Sequence, residues 1–416
     1  MLDTIKKMFR NKIFYCFLIL IIIMFPQTFY MQSDNNTKLV VTTIGIDKSE
    51  NGFKLSTLAV IPKVSSDVNA NLEVFEGEGK SISEALENIS LNTGKSVGLA
   101  HCDCIILSMD ILNDNMTSVL DYFIRTSNLT TNAAILGTSN ESKKLVEVSK
   151  NSNNLLDLSL KDIVTYQENI SLLENTTIEK FYRSYFSKSG TFFIPIIDVE
   201  SDEENSQSES NSSNSNDSSG SGSESGSNSK EQSKIKNNQD VAVIKNGKFT
   251  RILTQDELFI YNLLSKSSEN LQLTIEDIND EYVNNSIEIY QQVSKVRLPL
   301  YKYDESGNPY VQYEVWLNIM LDEINSRNNF AYASIDSLQN FLSNTAEKEI
   351  YKVIDEKRKS TVETMRQENS DILELYKKFN AYSYTKWHNY LNTLDNQENY
   401  LQNVDIKINV HLNYVI

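Results

Sequence analysis

The sequence predicts an α+β protein: a multi-domain ectodomain of mixed and antiparallel sheets with packed helices, after one N-terminal transmembrane helix. Three patterns support this fold class. Residues 13–31 carry no charge, strand-like runs alternate with amphipathic helices through the rest of the chain, and the last run, 404–414, alternates apolar and polar residues. The first pattern is typical of a membrane span, and the last is typical of a sheet covered on one face.

Residues 1–33 are predicted to be a basic cytoplasmic tip and a membrane anchor. A helix that rises about 1.5 Å per residue needs roughly 20 residues to cross about 30 Å of hydrocarbon. The nearby basic residues precede the apolar run, so we expect the N-terminus in the cytoplasm and the ectodomain on the outer face. The basic residues are Lys6, Lys7, Arg10 and Lys12, and the anchor is expected to include Ile13, Phe17, Leu20, Ile23 and Phe25.

Two alternatives to an uncleaved anchor remain open. A cleaved signal peptide needs small residues at its cleavage site, whereas positions 29–32 hold Phe, Tyr, Met and Gln. Lipid attachment would need a Cys after the apolar run, whereas Cys16 lies inside it.

Length and composition exclude some ligands of the ectodomain and indicate how it is stabilised. Its length, about 380 residues, is enough for two or three domains. The net charge of −17 argues against nucleic acid or an anionic lipid surface as its ligand. Three Cys offer no disulfide framework, so burial of a core must provide the stability.

Residues 34–200 are predicted to form an N-terminal α+β region. The β-rich runs 39–47 and 53–61 flank a turn and predict a hairpin. In the helix 81–93, Ser81 and Glu84 predict a capping box, and Gly94 ends the helix. The other predicted strands are 74–79, 102–109, 133–137 and 191–199, and the other predicted helices are 112–125, 142–149, 158–169 and 178–187.

Residues 201–239 are predicted to be a disordered loop rich in Ser, Glu and Asn. Fourteen of the twenty-nine residues 201–229 are Ser, and 201–234 contain no aliphatic or aromatic side chain. Such a segment cannot bury enough apolar area to offset its chain entropy. It separates the strand 191–199 from a strand at 241–244, so we interpret it as a loop inserted within one domain.

Residues 240–275 are expected to continue the middle domain, with a capped helix at 254–265. Residues 276–416 are expected to form a C-terminal α+β domain with a long helix and an antiparallel sheet. Its predicted elements are strands 286–300 and 310–324, a helix at 334–365 and the strand 404–414. We expect the helix to lie across the covered face of the sheet, to which the last strand returns.

The run 101–104, His-Cys-Asp-Cys, is the one cluster that could carry chemistry. In a strand, Cys102 and Cys104 share one face and His101 and Asp103 the other, so the four groups do not converge on a metal ion. Buried, unreactive thiols are the favoured interpretation, and a redox site and a metal site are the alternatives. No other motif is typical of catalysis, so we expect no catalytic, cofactor-binding or metal-binding residues.

Residues 376–400 are dense in aromatic side chains. Their rings either pack on the sheet or form a patch that binds a partner, because Tyr and Trp are favoured anchors of interfaces. The polar face of 404–414 is a second candidate contact surface. The candidate contact residues are Tyr376, Phe379, Tyr384, Trp387 and Tyr390.

Several runs, taken in order, resemble the C subunits of spore germinant receptors, the Ger(x)C family. They are TIGIDK at 43–48, SISEALENISLNT at 81–93 followed by a His-led strand at 101, LDYFIRTSNLTTNAAILG at 120–137, VAVIKNGKFTRILTQDEL at 241–258, and the tail with Trp387 and the strand 404–414. The order and spacing of these runs together carry the resemblance, which covers nearly the whole ectodomain.

The resemblance implies three α+β domains around mixed sheets and a non-enzymatic subunit on the outer face of the spore's inner membrane. It implies integral-membrane A- and B-type receptor subunits as partners, no cofactor, and a role in triggering germination. Members of the family usually carry a lipid-modified Cys followed by Trp-Asp, whereas residues 31–34 are Met-Gln-Ser-Asp. A transmembrane helix would then take the place of the lipid.

Two other functions remain as alternatives. One is an extracellular, membrane-tethered binding or adhesion module unrelated to germination. The other is a thiol or metal enzyme centred on Cys102 and Cys104.

Overall fold

The computed structural model describes residues 15, 19–20, 38–61, 71–114, 116–125, 129–156, 160, 162, 164–165, 176–199, 235–264, 270–276, 283–296, 298–326 and 342–414. The Ser-rich segment 200–234 and most of the anchor lie outside these residues, including Ile13, Phe17, Ile23 and Phe25. Leu20 is an exposed helical residue. Among the residues described, no helix is both long enough and apolar enough to cross a bilayer.

A mixed ten-stranded sheet lies in the N-terminal part of the described chain. Its strands are β1 Lys38–Ser49, β2 Gly52–Ile61, β3 Asn71–Gly79, β4 Ser96–Gly98, β5 Cys104–Ser108, β6 Ala134–Thr138, β7 Thr176–Thr177, β8 Thr191–Val199, β9 Ile235–Lys245 and β10 Lys248–Ile252. The order is β10-β9-β8-β6-β5-β1-β2-β3, with β4 on β1 and β7 on β6. The central pairs β1–β5, β5–β6 and β6–β8 are parallel, and both ends of the sheet are antiparallel.

Helices cover both faces of this sheet. They are α1 Ile82–Thr93, α2 Met109–Asp114, α3 Met116–Arg125, α4 Ser142–Leu156, α5 Ile178–Tyr185 and α6 Gln255–Leu264. Apolar residues of α1, α2, α3 and α5 form one core with the first face, and those of α4 and α6 join a second core on the other face. Every residue of β5 and β6 is buried, as expected for parallel strands covered on both sides.

The start and end of α1 follow the local sequence. The Ser81 hydroxyl accepts from the Glu84 amide at 3.2 Å, and the Glu84 carboxylate accepts from the Lys80 amide at 2.8 Å. Gly94 ends the helix in the left-handed conformation, at φ 66°. The predicted cap therefore forms, with the carboxylate reaching one residue further back than in a standard capping box.

The strands on the two sides of the Ser-rich segment pair with each other. β8 and β9 are antiparallel neighbours over nearly their whole length, with Thr191 opposite Lys245 and Val199 opposite Ile235. Residues 200–234 therefore connect two adjacent strands of one sheet. The sequence predicted only a loop inserted within one domain, over residues 201–239. The end of that range is wrong, because residues 235–239 belong to β9. The cost of closing a long connection rises only slowly with its length.

A second, five-stranded sheet lies in the C-terminal part. Its strands are β11 Asn270–Glu276, β12 Val283–Val296, β13 Leu300–Tyr303, β14 Pro309–Ser326 and β15 Asp405–Tyr414. β14 pairs antiparallel with β12 and β13 on one side, but β15 runs parallel to it on the other. The prediction of an antiparallel sheet is therefore wrong for the last strand. An alternating pattern shows which face of a strand is covered but does not show the direction of the strand. The long connection 327–404 is of the length that a parallel strand requires.

The long helix α7, Glu347–Gln367, covers the buried face of this sheet, as predicted. A π-helical turn, Leu342–Ala346, precedes it, and its predicted start at residue 334 lies outside the described residues. Its apolar side chains pack with those of β14 and β15 in the second core. Arg358 and Arg366 donate to the backbone carbonyls of Ile406 and Val404 at 2.8–2.9 Å, which ties the helix to the last strand.

Candidate partner-contact site

The aromatic segment is helical and centres on one buried indole. It comprises α8 Leu375–Tyr382, α9 Tyr384–Leu391 and a 3-10 helix, Gln397–Asn403. The ring of Trp387 stacks on Phe379 at 5.0 Å and lies 5.4 Å from Tyr390. Tyr376 and Tyr400 meet the indole edge-on at 5.6 and 5.9 Å. These five rings close the end of the C-terminal core.

Three of the five candidate contact residues are therefore core residues. Phe379, Trp387 and Tyr390 are 0%, 0% and 4% exposed, and Tyr376 is half-buried. Packing on the core, the other interpretation of this segment, therefore describes these three side chains, which offer almost no surface to a partner. Their near-helical spacing was the signal that could have placed them on an inner face.

Sequence reasoning missed the buried carboxylate that organises this cluster. Asp371 accepts from the amides of Leu375 and Tyr376 at 2.7 and 2.9 Å, and from the Tyr400 hydroxyl at 2.8 Å. Burial raises the pKa of Asp371, and the three hydrogen bonds act in the opposite direction. One side chain thus joins the start of α8 to the 3-10 helix.

The exposed aromatic side chains lie next to this cluster. Tyr382 and Tyr384 are 68% and 61% exposed. They line a groove with Tyr301, Tyr303 and Tyr310, and we call these five residues the tyrosine groove. Tyr301 and Tyr382 stack at 4.9 Å. Tyr384 is thus the candidate contact residue that the structure leaves accessible.

The polar face of the last strand forms a hydrogen-bonded network around Glu314 of β14. Its carboxylate accepts from Asn409 at 2.7 Å and from Gln312 at 2.8 Å, and lies 3.0 Å from His411 Nε2. The His411 ring stacks on Trp316 at 4.6 Å. We call these five residues the polar ladder. The hydrogen bond with His411, followed by those with Asn409 and Gln312, lowers the pKa of Glu314 to about 2.

This shift predicts how stability responds to acid. A depressed folded-state pKa contributes stability above the ordinary value of 4.5, and that contribution disappears as the pH falls toward about 2. Glu314→Gln should therefore be less stable than the wild type at pH 6, and the difference should shrink progressively between pH 4.5 and about 2. Urea unfolding at several pH values measures this. Glu305→Gln in the exposed turn is the matched control, and a pH-independent difference for Glu314→Gln would contradict the prediction.

The two ectodomain thiols are buried on opposite sides of the first sheet. β5 begins at Cys104, so Cys102 precedes the strand, and the prediction that both share one face is wrong. Cys102 joins one core and Cys104 the other. The Cys102 thiol donates to the Cys104 carbonyl at 3.5 Å, and burial raises its pKa to about 12. Within the described part of the chain, no group of three or more His, Cys, Asp or Glu side chains is placed to hold a metal ion.

Comparisons with known proteins match both halves of the chain to spore germination proteins. Residues 32–199 match the model of the spore germination protein N-terminal domain, and residues 239–414 match the model described as spore germination B3/GerAC like, C-terminal. No curated protein matches the chain in sequence. The crystal structure of the GerBC protein is 14% identical, with a TM-score of 0.46, over 90% of this chain and 97% of that one.

The two family models together account for most of the sequence, in the expected order and with the Ser-rich segment between them. The assignment rests on these models. The chain belongs to the Ger(x)C family of spore germination proteins.

Proposed function

We propose that the chain is a non-enzymatic C subunit of a nutrient germinant receptor at the spore's inner membrane. The observation that carries this proposal is the match of both family models, over residues 32–199 and 239–414. The ectodomain would contact integral-membrane A- and B-type subunits and stabilise the ligand-bound state of the receptor. The buried thiols of Cys102 and Cys104 fit a structural role in such a subunit.

A deletion strain tests the proposal. Spores that lack the gene and its paralogues should fail to germinate on at least one nutrient that triggers wild-type spores. The yield of heat-resistant spores should be unchanged, and the wild-type gene should restore the response. Normal germination of the deletion strain on every nutrient that acts on the wild type would refute the proposed function.

The attachment to the membrane is a separate part of the proposal. Residues 13–31 would form an uncleaved helix, with Ile13, Phe17, Leu20, Ile23 and Phe25 in the hydrocarbon. Mass spectrometry of the protein from spore membranes should then find the intact N-terminus. A diacylglyceryl Cys, or a chain that starts near Asp34, would contradict the anchor without touching the family assignment.

We place the partner contact at the tyrosine groove and the adjacent polar ladder. Exposed Tyr side chains are favoured interface anchors, and Tyr382 and Tyr384 are the most exposed rings of the aromatic segment. A photoreactive phenylalanine at position 384 should crosslink to an integral-membrane receptor subunit in spore membranes. The same probe at exposed position 359 of α7 is the control. Equal crosslinking from both positions would show that the tyrosine groove is not the specific contact surface.

A further inference from the structure

A cavity of about 470 Å³ lies between the two sheets. Residues of β8, α5 and α6 line it from the first sheet, and residues of β13, β14 and the segment before α8 line it from the second. Its volume falls in the range of about 300–1,000 Å³ that is typical of small-molecule sites. The cavity is therefore large enough for an organic ligand of several carbon atoms.

The walls of this cavity are largely apolar and aromatic. Phe192, Tyr261, Leu264 and Ile372 are among the lining residues. The Tyr301 ring also lines it, and the same ring stacks on Tyr382 of the tyrosine groove. Such walls favour the apolar body of a ligand over water.

The charged residues that line the cavity are mostly basic. Among the described residues that line it, the basic ones are Lys180, Arg183, Lys377 and Lys378, and the acidic one is Glu374. Two of the basic residues already have a carboxylate partner: Lys377 pairs with Glu374 at 3.2 Å, and Arg183 pairs with Glu179. The basic side chains on these walls still outnumber the acidic one, which favours an anion inside the cavity.

Lys378 and Tyr313 are two lining residues whose polar groups could bind a ligand. Burial lowers the pKa of Lys378, while Glu374 and Asp371 act in the opposite direction, and none of the acidic side chains described forms an ion pair with Lys378. Tyr313 is 2% exposed, and its hydroxyl has no hydrogen-bond partner among the described residues. A buried hydroxyl without an acceptor costs free energy, which an oxygen atom of a ligand would recover.

We propose that this cavity binds a small organic anion, with an apolar or aromatic body and one carboxylate or phosphate group. The body would lie against the aromatic walls, the oxyanion would meet the Lys378 ammonium, and Tyr313 would donate its hydroxyl to the ligand. The proposal concerns the cavity alone, so it stands or falls independently of the role in germination.

Isothermal titration calorimetry on the full-length protein in detergent micelles tests this proposal. The probes are phenylacetate, phenyl phosphate and the uncharged benzyl alcohol. We expect saturable one-to-one binding of at least one of the two anions, and at least about tenfold weaker binding of benzyl alcohol. Which anion binds more tightly identifies the oxyanion that the site prefers.

Two variants and one control locate the binding. Lys378→Met should weaken binding of the anion by about tenfold or more, and Tyr313→Phe by about two- to tenfold. Tyr313→Phe removes a hydroxyl that has no hydrogen-bond partner among the described residues, so the urea midpoint of this variant should not fall. Lys359→Met, at an exposed position of α7, should bind as the wild type does.

Three results would overturn the proposal. The first is the absence of saturable binding of both anions up to about 10 mM. The second is equal affinity of the wild type and Lys378→Met for the anion. The third is benzyl alcohol binding as tightly as the anions.

Discussion

Trp387→Ala should lower the free energy of unfolding by about 3–5 kcal/mol, because it opens a large cavity in the buried core. The indole is fully buried, and four aromatic rings surround it within 6 Å. Neighbouring rings cannot refill that volume without moving α8 and α9. Urea unfolding followed by far-ultraviolet circular dichroism measures the loss.

Two further variants separate cavity formation from other causes. The indole N–H of Trp387 has no acceptor among the described residues, so Trp387→Phe keeps most of the packing and should cost much less than Trp387→Ala. Tyr384→Ala, at the exposed position of the same helix, should change stability by no more than about 0.5 kcal/mol. A similar loss in Trp387→Ala and Tyr384→Ala would show that the indole is not the centre of the core.

Glu257→Ala should cost about 3–5 kcal/mol, because it leaves the partly buried guanidinium of Arg251 without its anion. The Glu257 carboxylate is fully buried and accepts two hydrogen bonds from Arg251, at 2.6 and 2.7 Å. It also accepts from the Thr254 amide and hydroxyl at 3.0 and 3.1 Å, which closes the capping box of α6. Thermal or urea unfolding of the purified variant measures the effect.

A double-mutant cycle isolates the ion pair from the cap. If the uncompensated charge is the main cost, Arg251→Ala combined with Glu257→Ala should cost clearly less than the sum of the two single variants. Glu356→Ala, at an exposed position of α7, is the matched control for removal of a carboxylate. Strict additivity of the two single variants would assign the loss to the cap alone.

Local signals in the sequence predicted most of the elements. The hairpin of β1 and β2, the cap of α1, the strand 191–199 and the cap of α6 each depend on residues close together in the chain. The same holds for the two strand-like runs on either side of the Ser-rich segment, although only the structure shows that they pair as β8 and β9. Propensity and patterning therefore sufficed where the competing structures were few.

What the sequence did not decide has a different cause. Cys102 and Cys104 would share a face only if both lay within one strand; β5 begins at Cys104, so the alternation of faces does not extend to Cys102. Which aromatic rings of residues 376–400 are buried and which are exposed depended on how the helices pack on the sheet. Here Trp387 filled the interior and Tyr384 remained outside.

The amino-acid sequence by itself determined the α+β class, the order of the elements and the family, because these follow from periodicity and from short-range order along the chain. Only the tertiary structure decided the parallel direction of β15, the burial of the aromatic cluster and the basic cavity between the sheets. Each of these depends on groups far apart in sequence, such as Tyr313 and Lys378. Such groups meet only when both sheets are formed, and local patterns carry no information about that meeting.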